Sequence, residues 1–437
     1  MPSNWSTGSF PESPGVTVSL GALPGGQGNA TVLDLRAVSV GTLLVGPANS
    51  LRWRDDTVLT IHSGITNDGT ISLADTFVNG AAILRVAGNV TLGGTGTISL
   101  LSPDGVGINR IESATAADVL TIGSGQTLLA SPVGGGTGRT YQVLLSAELD
   151  NGGLVEATAN RSKVAMNLLP KTNNGTFRAS LEGEIEIRES ADLLTNYDHT
   201  SSTLTGGRWE ILAYEGPTTT MDLQGASISC IAPGTVVKYN GPNATFPALS
   251  AFSKLEGTLA LAGGKVFSVA RDVTLGGNLQ ISVTGVPDAT RLNVTGNIDF
   301  NGVVIDLFGY EAKAGDYEVV RWTGTATGAP VIGNAPPGLS TSLVMGANSL
   351  TLRVTGTIVG EEVKILDFSV GSDFFGRYPK LTYRSIAGER LGVRAGSNLD
   401  NFNLILPNTE VGDGSIMEYT TRTPHANRRF YRLVRLP

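Results

Sequence analysis

The residues of this chain best suited to acid–base chemistry form one dense run of carboxylates. Glu182, Glu184 and Glu186 alternate with other residues, and Arg188 continues the alternation. On a β-strand, alternate side chains share one face and lie about 7 Å apart. Two carboxylates at that spacing suit a glycoside hydrolase that inverts configuration. The alternative is a solvated outer face whose charges discourage unwanted strand pairing.

A second group combines aromatic rings with a histidine and a carboxylate. Its members are Tyr197, Asp198, His199, Trp209 and Tyr214. The strand pattern loosens here, so we expect a protruding loop. Exposed aromatic side chains stack on sugar rings, which makes these residues the predicted glycan contacts. Packing of the same rings in the core or at a corner is the alternative.

Other chemistries lack their motifs. His62, His199 and His425 lie far apart and Cys230 is the only cysteine, so no local zinc motif exists. The Gly-rich run at residues 134–139 has neither the Lys-Ser/Thr of a Walker loop nor the spaced glycines of a dinucleotide turn. No Gly-x-Ser-x-Gly elbow is present. The sequence therefore predicts no catalytic residue, no metal and no cofactor.

Composition excludes further classes. Glycine supplies 57 of 437 residues and charged residues 16%, against averages of about 7% and about 25%. A formal charge of −7 without a basic block argues against nucleic acid. No apolar run approaches the ~20 residues of a membrane helix, so no membrane insertion is expected. The first residues do not resemble a signal peptide.

Short stretches of alternating apolar and small polar residues recur along the chain. They include residues 57–61, 70–73, 97–100, 258–261 and 279–283. Alternation at period two is typical of β-strands, and the Gly, Asn and Asp residues between the stretches permit tight turns. Helical periodicity is nearly absent. The predicted fold class is all-β.

Repeated corners favour a solenoid over stacked sandwiches, which remain the alternative. Residues 151–157 (NGGLVEA) align with 173–179 (NNGTFRA), and 69–73 (GTISL) with 96–100 (GTISL). A parallel β-helix repeats its corner chemistry once per coil of roughly 20–45 residues. We therefore predict a right-handed parallel β-helix over residues 1–357.

Several Gly-rich stretches resemble the repeats of secreted bacterial autotransporter passengers. They are residues 204–211, 221–228, 272–279, 292–298 and 314–320. Asn4-Trp5-Ser6 is similar to the common opening of such passengers. The resemblance implies a secreted or cell-surface β-solenoid, and the family includes adhesins, proteases and structural filaments. No amphipathic barrel strands follow in this sequence, so we do not expect a translocator.

The composition changes after residue 357, where charged and aromatic residues become denser and glycine thins. Three stretches resemble a small fibronectin type III-like module of large secreted bacterial proteins. They are residues 385–388, 397–402 and 429–432. Phe402 stands where that module commonly has Trp. The resemblance implies a small antiparallel β-sandwich over residues 358–437 that caps or attaches the solenoid.

These features predict an extracellular structural or adhesive surface protein and not an enzyme. It would be a rigid rod that associates into fibres or a matrix and contacts glycans. The alternative is a polysaccharide-active (lyase or hydrolase) or glycan-binding β-helix, with carboxylates and Arg or Lys from adjacent coils lining a groove. A receptor-binding spike of a phage or secretion system is a third alternative, and it predicts a trimer.

Overall fold

The computed structural model describes residues 13–21, 28, 30–33, 35–53, 56–73, 81–102, 108–132, 141–158, 162–213, 217–283, 290–308 and 312–356, and the backbone of six strands between 365 and 436. These residues are almost entirely strand and turn, with short 3₁₀ helices at Ala191–Leu193 and Pro247–Ala251. None of their helices is long and apolar enough to cross a membrane. The predicted all-β class is confirmed.

The strands are numbered in chain order. The first are β1 Ser13–Leu20, β2 Ala30–Leu33, β3 Ala37–Val45, β4 Ser50–Trp53, β5 Val58–Asn67, β6 Thr70–Leu73, β7 Ile83–Val86, β8 Val90–Gly93, β9 Thr97–Ser102, β10 Asn109–Ser113, β11 Val119–Ile122, β12 Thr127–Pro132, β13 Tyr141–Ser146, β14 Glu148–Asn151, β15 Leu154–Thr158, β16 Ser162–Met166, β17 Lys171–Asn173, β18 Thr176–Ser180, β19 Glu184–Ile187, β20 Tyr197–Asp198, β21 Thr203–Leu204 and β22 Arg208–Leu212. The others are β23 Thr219–Leu223, β24 Cys230–Ile231, β25 Val236–Asn240, β26 Ala244–Thr245, β27 Lys254–Leu255, β28 Thr258–Ala262, β29 Val266–Val269, β30 Val273–Leu275, β31 Asn278–Ile281, β32 Arg291–Val294, β33 Ile298–Leu307, β34 Gly315–Trp322, β35 Ala326–Ile332, β36 Leu339–Met345, β37 Ser349–Gly356, β38 Ile365–Asp373, β39 Gly376–Arg384, β40 Arg390–Gly396, β41 Leu404–Leu406, β42 Ile416–Thr420 and β43 Phe430–Leu436.

The chain forms two compact units, and the described residues of the first, Met1–Ala260 with Val269–Asn278, form stacked coils. One ladder of parallel strands runs β3, β5, β7, β10, β13, β16, β19, β23 and β26, and a second runs β5, β8, β11, β14 and β17. A third runs β4, β6, β9, β12, β15, β18, β22 and β25. Each strand therefore pairs with its counterpart in the next coil. The predicted parallel β-helix is confirmed, and its right-handed sense stays a prediction.

The repeats found in the sequence are register partners in this stack. Asn151 pairs with Asn173, and Thr70 pairs with Thr97. Between the ladders, fully buried side chains pile up in columns. One column of the third ladder contains Ile71, Ile98, Leu128, Val155, Phe177, Trp209 and Val237. Burial of each such side chain contributes about 1.5–3 kcal/mol, so the columns are the main source of stability.

Buried amide side chains form a second kind of column at the corner that precedes the third ladder. Asn151 Nδ2 donates to Asn173 Oδ1 at 2.9 Å, and Asn173 Nδ2 donates to the carbonyl of Arg208 at 3.1 Å. Asn196 Oδ1 accepts a 2.6 Å hydrogen bond from the backbone N–H of Asn173. Buried amides that find partners in the next coil stabilise the sharp corner, because unpaired polar groups there would be costly.

Replacement of Asn173 by alanine is expected to lower the free energy of unfolding by about 1–3 kcal/mol, because its buried partners lose a donor and an acceptor. Asn174→Ala is the matched control, since the exposed Asn174 side chain bonds only at the surface, to Asp150. We expect the control to cost less than about 0.5 kcal/mol. Urea unfolding followed by circular dichroism measures both, and equal effects would contradict a special role for the buried amide.

The outer face of the third ladder carries charges of alternating sign on successive coils. Glu156, Arg178, Glu210 and Lys238 are register partners in that order. Arg178 Nε lies 2.7 Å from Glu210 Oε2, and Arg178 Nη1 lies 3.5 Å from Glu156 Oε2. Burial alone would raise the pKa of Glu210, but the charges of Arg178, Lys238 and Arg208 outweigh it and lower the pKa to about 2. We call Glu156, Arg178 and Glu210 the buried charge triad.

The second unit comprises Leu261–Ser268 and Leu279–Pro437. Parallel pairing persists between β33 and β35 and between β32 and β34, whereas β34, β37 and β36 pair antiparallel. Phe300 and Trp322 meet edge to face with ring centroids 5.6 Å apart. Farther along, β38–β39–β42 and β41–β40–β43 form two antiparallel sheets of three strands each.

The antiparallel character predicted for the C-terminal part is thereby confirmed. That its two sheets face each other as a sandwich stays a prediction. The predicted boundary between residues 357 and 358 lies outside the described residues and stays a prediction as well.

Candidate functional site

The carboxylates singled out in the sequence lie on the outer face of the first ladder. β16, β19 and β23 belong to successive coils, and their register sets Lys163 beside Glu184 and sets Glu186 beside Asp222. Ile185, between the two glutamates, is fully buried in the interior. The predicted alternation of Glu184 and Glu186 with inward isoleucines is therefore present. We call Lys163, Glu184, Glu186, Arg188 and Asp222 the charged cluster.

Lys163 lies between the two glutamates of the charged cluster and pairs with both. Its Nζ lies 2.9 Å from Glu184 Oε1 and 2.8 Å from Glu186 Oε2. Arg188 Nε and Gln224 Nε2 each donate to a Glu186 oxygen at 2.5 Å. Burial would raise the pKa of Glu186, but the hydrogen bonds from Lys163 and Arg188 outweigh it and keep that pKa below its ordinary value. Glu186 is thus an ionised carboxylate with every oxygen engaged.

Asp222 has the opposite electrostatic environment on the neighbouring strand. Burial, followed by the negative charges of Glu186 and Glu184, raises its pKa above the ordinary value, and Lys163 offsets only part of this. Two adjacent carboxyl groups whose pKa values are pushed apart are the arrangement that acid–base pairs use. Chemically, the site offers one carboxylate that stays charged and one carboxyl that holds its proton more readily.

The structure corrects the prediction for Glu182. It does not lie on the strand face, because it sits with Leu181 in the turn before β19, at a φ of +74°. Its backbone N–H donates to Thr219 Oγ1 at 3.0 Å. Gly183 follows immediately and fits a tight approach to the carbonyl of Ala157 in the preceding coil. The apparent alternation therefore begins at Glu184.

Sequence reasoning missed Lys163 and Asp222 of the charged cluster, and it missed Gln224, which donates a hydrogen bond to Glu186. Lys163 lies 21 residues before Glu184, and Gln224 lies 38 residues after Glu186. A strict repeat would have revealed these neighbours, but the coils differ in length. Only the strand register brings the three side chains to the glutamates.

Three of the predicted glycan contacts lie on or beside a hairpin of β20 and β21, which is inserted between β19 and β22. Tyr197 is buried, and its hydroxyl bonds the backbone of Ser227. His199 is exposed and packs edge-on against the Tyr197 ring, with ring centroids 4.4 Å apart. Its Nε2 lies 2.7 Å from Asp192 Oδ1. The predicted loop is present. Of these three residues, Asp198 and His199 are exposed, whereas the Tyr197 ring is buried.

Asp198 is exposed and bound within its own turn. Its carboxylate accepts hydrogen bonds from Ser201 Oγ at 2.5 Å and from the N–H of Thr200 at 2.9 Å. These hydrogen bonds lower the pKa of Asp198 below its ordinary value. The carboxylate therefore organises the hairpin turn.

Trp209 is a core residue and not a surface residue. Its ring is fully buried. It packs edge-on against Phe177, with ring centroids 5.4 Å apart, and stacks on Phe246, with ring centroids 6.4 Å apart. Its Nε1 donates to the carbonyl of Gly206 at 3.0 Å. This ring is not accessible to a glycan, so the core alternative holds for Trp209. Tyr214 lies outside the described residues.

Asp222→Asn tests the like-charge contact in the charged cluster. A folded pKa above the unfolded value means that ionised Asp222 destabilises the fold at neutral pH, and that this penalty disappears as acid protonates it. We expect the variant to gain a few tenths of a kcal/mol at pH 7. At about pH 3 the variant and the parent should be equally stable. Urea unfolding at both pH values measures this, and a loss at pH 7 would contradict it.

No protein-family profile, curated protein or solved structure matches this chain. Within the described residues, no group of three His, Cys, Asp or Glu side chains is arranged to hold a metal ion.

Proposed function

We propose that this protein is an extracellular structural or adhesive surface component in which the β-helix serves as a rigid scaffold and catalyses no reaction. The observation that carries this proposal is the pairing of opposite charges between coils. Lys163 with Glu184, and Arg178 with Glu210, each join adjacent coils. Charges engaged in this way hold strands together and are not poised for a substrate.

The sequence supports the location and the mode of action. The Gly-rich stretches that resemble autotransporter passengers favour a secreted or cell-surface protein, and the C-terminal likeness to a fibronectin type III-like module favours attachment. Rows of Thr, Ser and Asn on stacked coils present many similar weak sites. Simultaneous contacts with glycans or neighbouring copies then add up to firm binding.

Electron microscopy of the concentrated full chain, with retention on immobilised polysaccharides, tests the scaffold function. We expect ordered assemblies, retention, or both. Monodisperse monomers that bind no polysaccharide would contradict the proposal. A stable trimer by light scattering would favour a receptor-binding spike instead.

Cleavage of polysaccharides is the second candidate function, and the Glu186–Asp222 pair favours it. Glu186 and Asp222 come from adjacent coils, lie near Lys163, and have pKa values shifted in opposite directions. Carboxyl groups of this kind beside a lysine are expected of a polysaccharide-active β-helix. A screen for released reducing ends or unsaturated sugars tests it. Activity that disappears in Glu186→Gln and persists in the control Glu182→Gln would establish it, and inactivity of the parent on acidic and neutral polysaccharides would reject it.

A further inference from the structure

One segment of the second unit carries no charge. Between Arg321 and Arg353 there is no Asp, Glu, Lys, Arg or His, although charged residues make up 16% of the chain. The segment forms β35, β36 and the beginning of β37. An uncharged segment of this length is ordinary in a core, so its position in the fold decides what it means.

The uncharged segment lies largely at the surface. Nearly every residue of β35 is exposed, and β36 alternates between half-buried and exposed positions before ending in two exposed residues. Four large apolar side chains are exposed by 39–52%: Val331, Ile332, Val344 and Met345. β35 and β36 contact each other, and each strand exposes two of these side chains. An uncharged stretch with exposed apolar side chains is suited to contact with another molecule.

β36 is also a sheet edge. It pairs with β37 along its whole length, and no strand in the described part of the chain pairs with its other side. Protected edges carry charges, prolines or bulges, and β36 has no charge, no proline and an unbroken register with β37. β35 is less suited to pairing, because Pro330 lacks an N–H donor.

We propose that the open edge of β36 binds β36 of a second copy of this chain, antiparallel and across a two-fold axis. The charge distribution points to this occupant. Each copy carries a formal charge of −7, so copies repel except where they meet through an uncharged face. β36 contains only Leu, Ser, Thr, Val and Met, so two copies of it can pair antiparallel without bringing like charges together. The two-fold arrangement places the same patch on both sides of the interface.

The C-terminal strands of the same chain are the other candidate occupants. The strands β38 to β43 pair among themselves in two antiparallel sheets, and none of them pairs with β36. Within the described residues, the hydrogen-bonded partners of these strands thus lie in their own two sheets and not on β36. The charge distribution therefore decides in favour of a strand from a second copy.

Sedimentation of the full chain over a range of concentrations tests the proposal, which rests on the scaffold function and names its contact surface. We expect a reversible dimer that Val344→Lys weakens by roughly tenfold or more, because each copy then brings a charged side chain into a contact that is otherwise uncharged. Ile108→Lys is the matched control, since Val344 and Ile108 are both exposed by 41%. A parent that is monomeric throughout, or a Val344→Lys dimer as tight as the parent, overturns the proposal.

Hydrogen exchange of the unmodified chain locates the contact without a variant. The amides of residues 339–345 should become protected as concentration rises. Protection that is already complete in the monomer means that the chain covers its own edge, and it overturns the proposal. Fibres that persist by electron microscopy in Val344→Lys would leave the scaffold function standing while removing β36 as its contact.

Discussion

Replacing Arg178 by alanine is expected to lower the free energy of unfolding by about 3–5 kcal/mol. Arg178 lies between Glu156 and Glu210, and only 9% of its side chain and 5% of that of Glu210 are exposed. Without the guanidinium, Glu210 keeps a negative charge in a position shielded from water. The cost reflects the loss of a buried counter-ion, which the half-exposed Arg208 replaces only in part, and it exceeds the net value of the ion pair itself.

Arg208→Ala is the matched control for this variant. Arg208 also contacts Glu210, with Nη2 3.0 Å from Oε1, but half of its side chain is exposed. An exposed ion pair contributes at most about 1 kcal/mol, so the control should remain close to the parent. The double variant Arg178→Ala/Glu210→Gln should recover part of the loss. Equal costs for the two single arginine variants would contradict the role assigned to burial.

The same triad predicts how stability depends on pH. Glu210 has its pKa lowered in the fold to about 2, so its contribution is fully present above its ordinary pKa near 4.5 and is lost as the pH falls toward 2. The free energy of unfolding of Glu210→Gln should therefore change less than that of the parent as the pH falls from about 4.5 to about 2. Urea midpoints measured at several pH values report the difference directly.

Trp209→Ala is expected to destabilise the first unit by about 3–5 kcal/mol. The indole is fully buried in the interior column, between Phe177 of one coil and Val237 of the next. Its removal leaves a cavity that the flanking coils cannot close, because backbone hydrogen bonds between coils fix their spacing. Circular dichroism during urea unfolding measures the loss.

Trp209→Phe separates the cavity from the hydrogen bond. It keeps most of the ring volume and removes the 3.0 Å bond from Nε1 to the carbonyl of Gly206. We expect Trp209→Phe to lower the free energy of unfolding by about 1–2 kcal/mol. A cost below about 1 kcal/mol for Trp209→Ala would mean that the side chain is solvated, and would return Trp209 to the predicted glycan contacts.

The stacking of the coils was predictable from the sequence because parallel, in-register pairing sets like residues above one another. Gly-Thr-Ile-Ser-Leu occurs twice, and its two copies are neighbours in the third ladder. Asn151 and Asn173 are likewise partners, since these two successive coils carry the same amide at the same corner. Local periodicity and corner chemistry thus suffice for the fold class, as both act within a single coil.

The candidate site was only partly predictable because it depends on the lengths of the connections between strands. Glu184 and Glu186 could be assigned to one face from alternation, whereas the Lys163 and Asp222 neighbours follow from coils of unequal length. Trp209 was predicted as a glycan contact because the strand pattern loosens in this region, yet the register of β22 places its ring between Phe177 and Val237 in the interior. Glu182 was misplaced because a turn interrupts the pattern.

The parallel register has a consequence for how such a chain changes length. Val143 of β13 pairs with Asn109 on one side and with Val164 on the other, at equivalent positions of successive coils. Excision of one whole turn of the solenoid would therefore bring β10 against β16 in parallel register, with Ile111 and Met166 aligned in the same interior column. Genes for proteins of this type can gain or lose entire turns and preserve the architecture, whereas the loss of a single residue within a strand would reverse which side chains face inward.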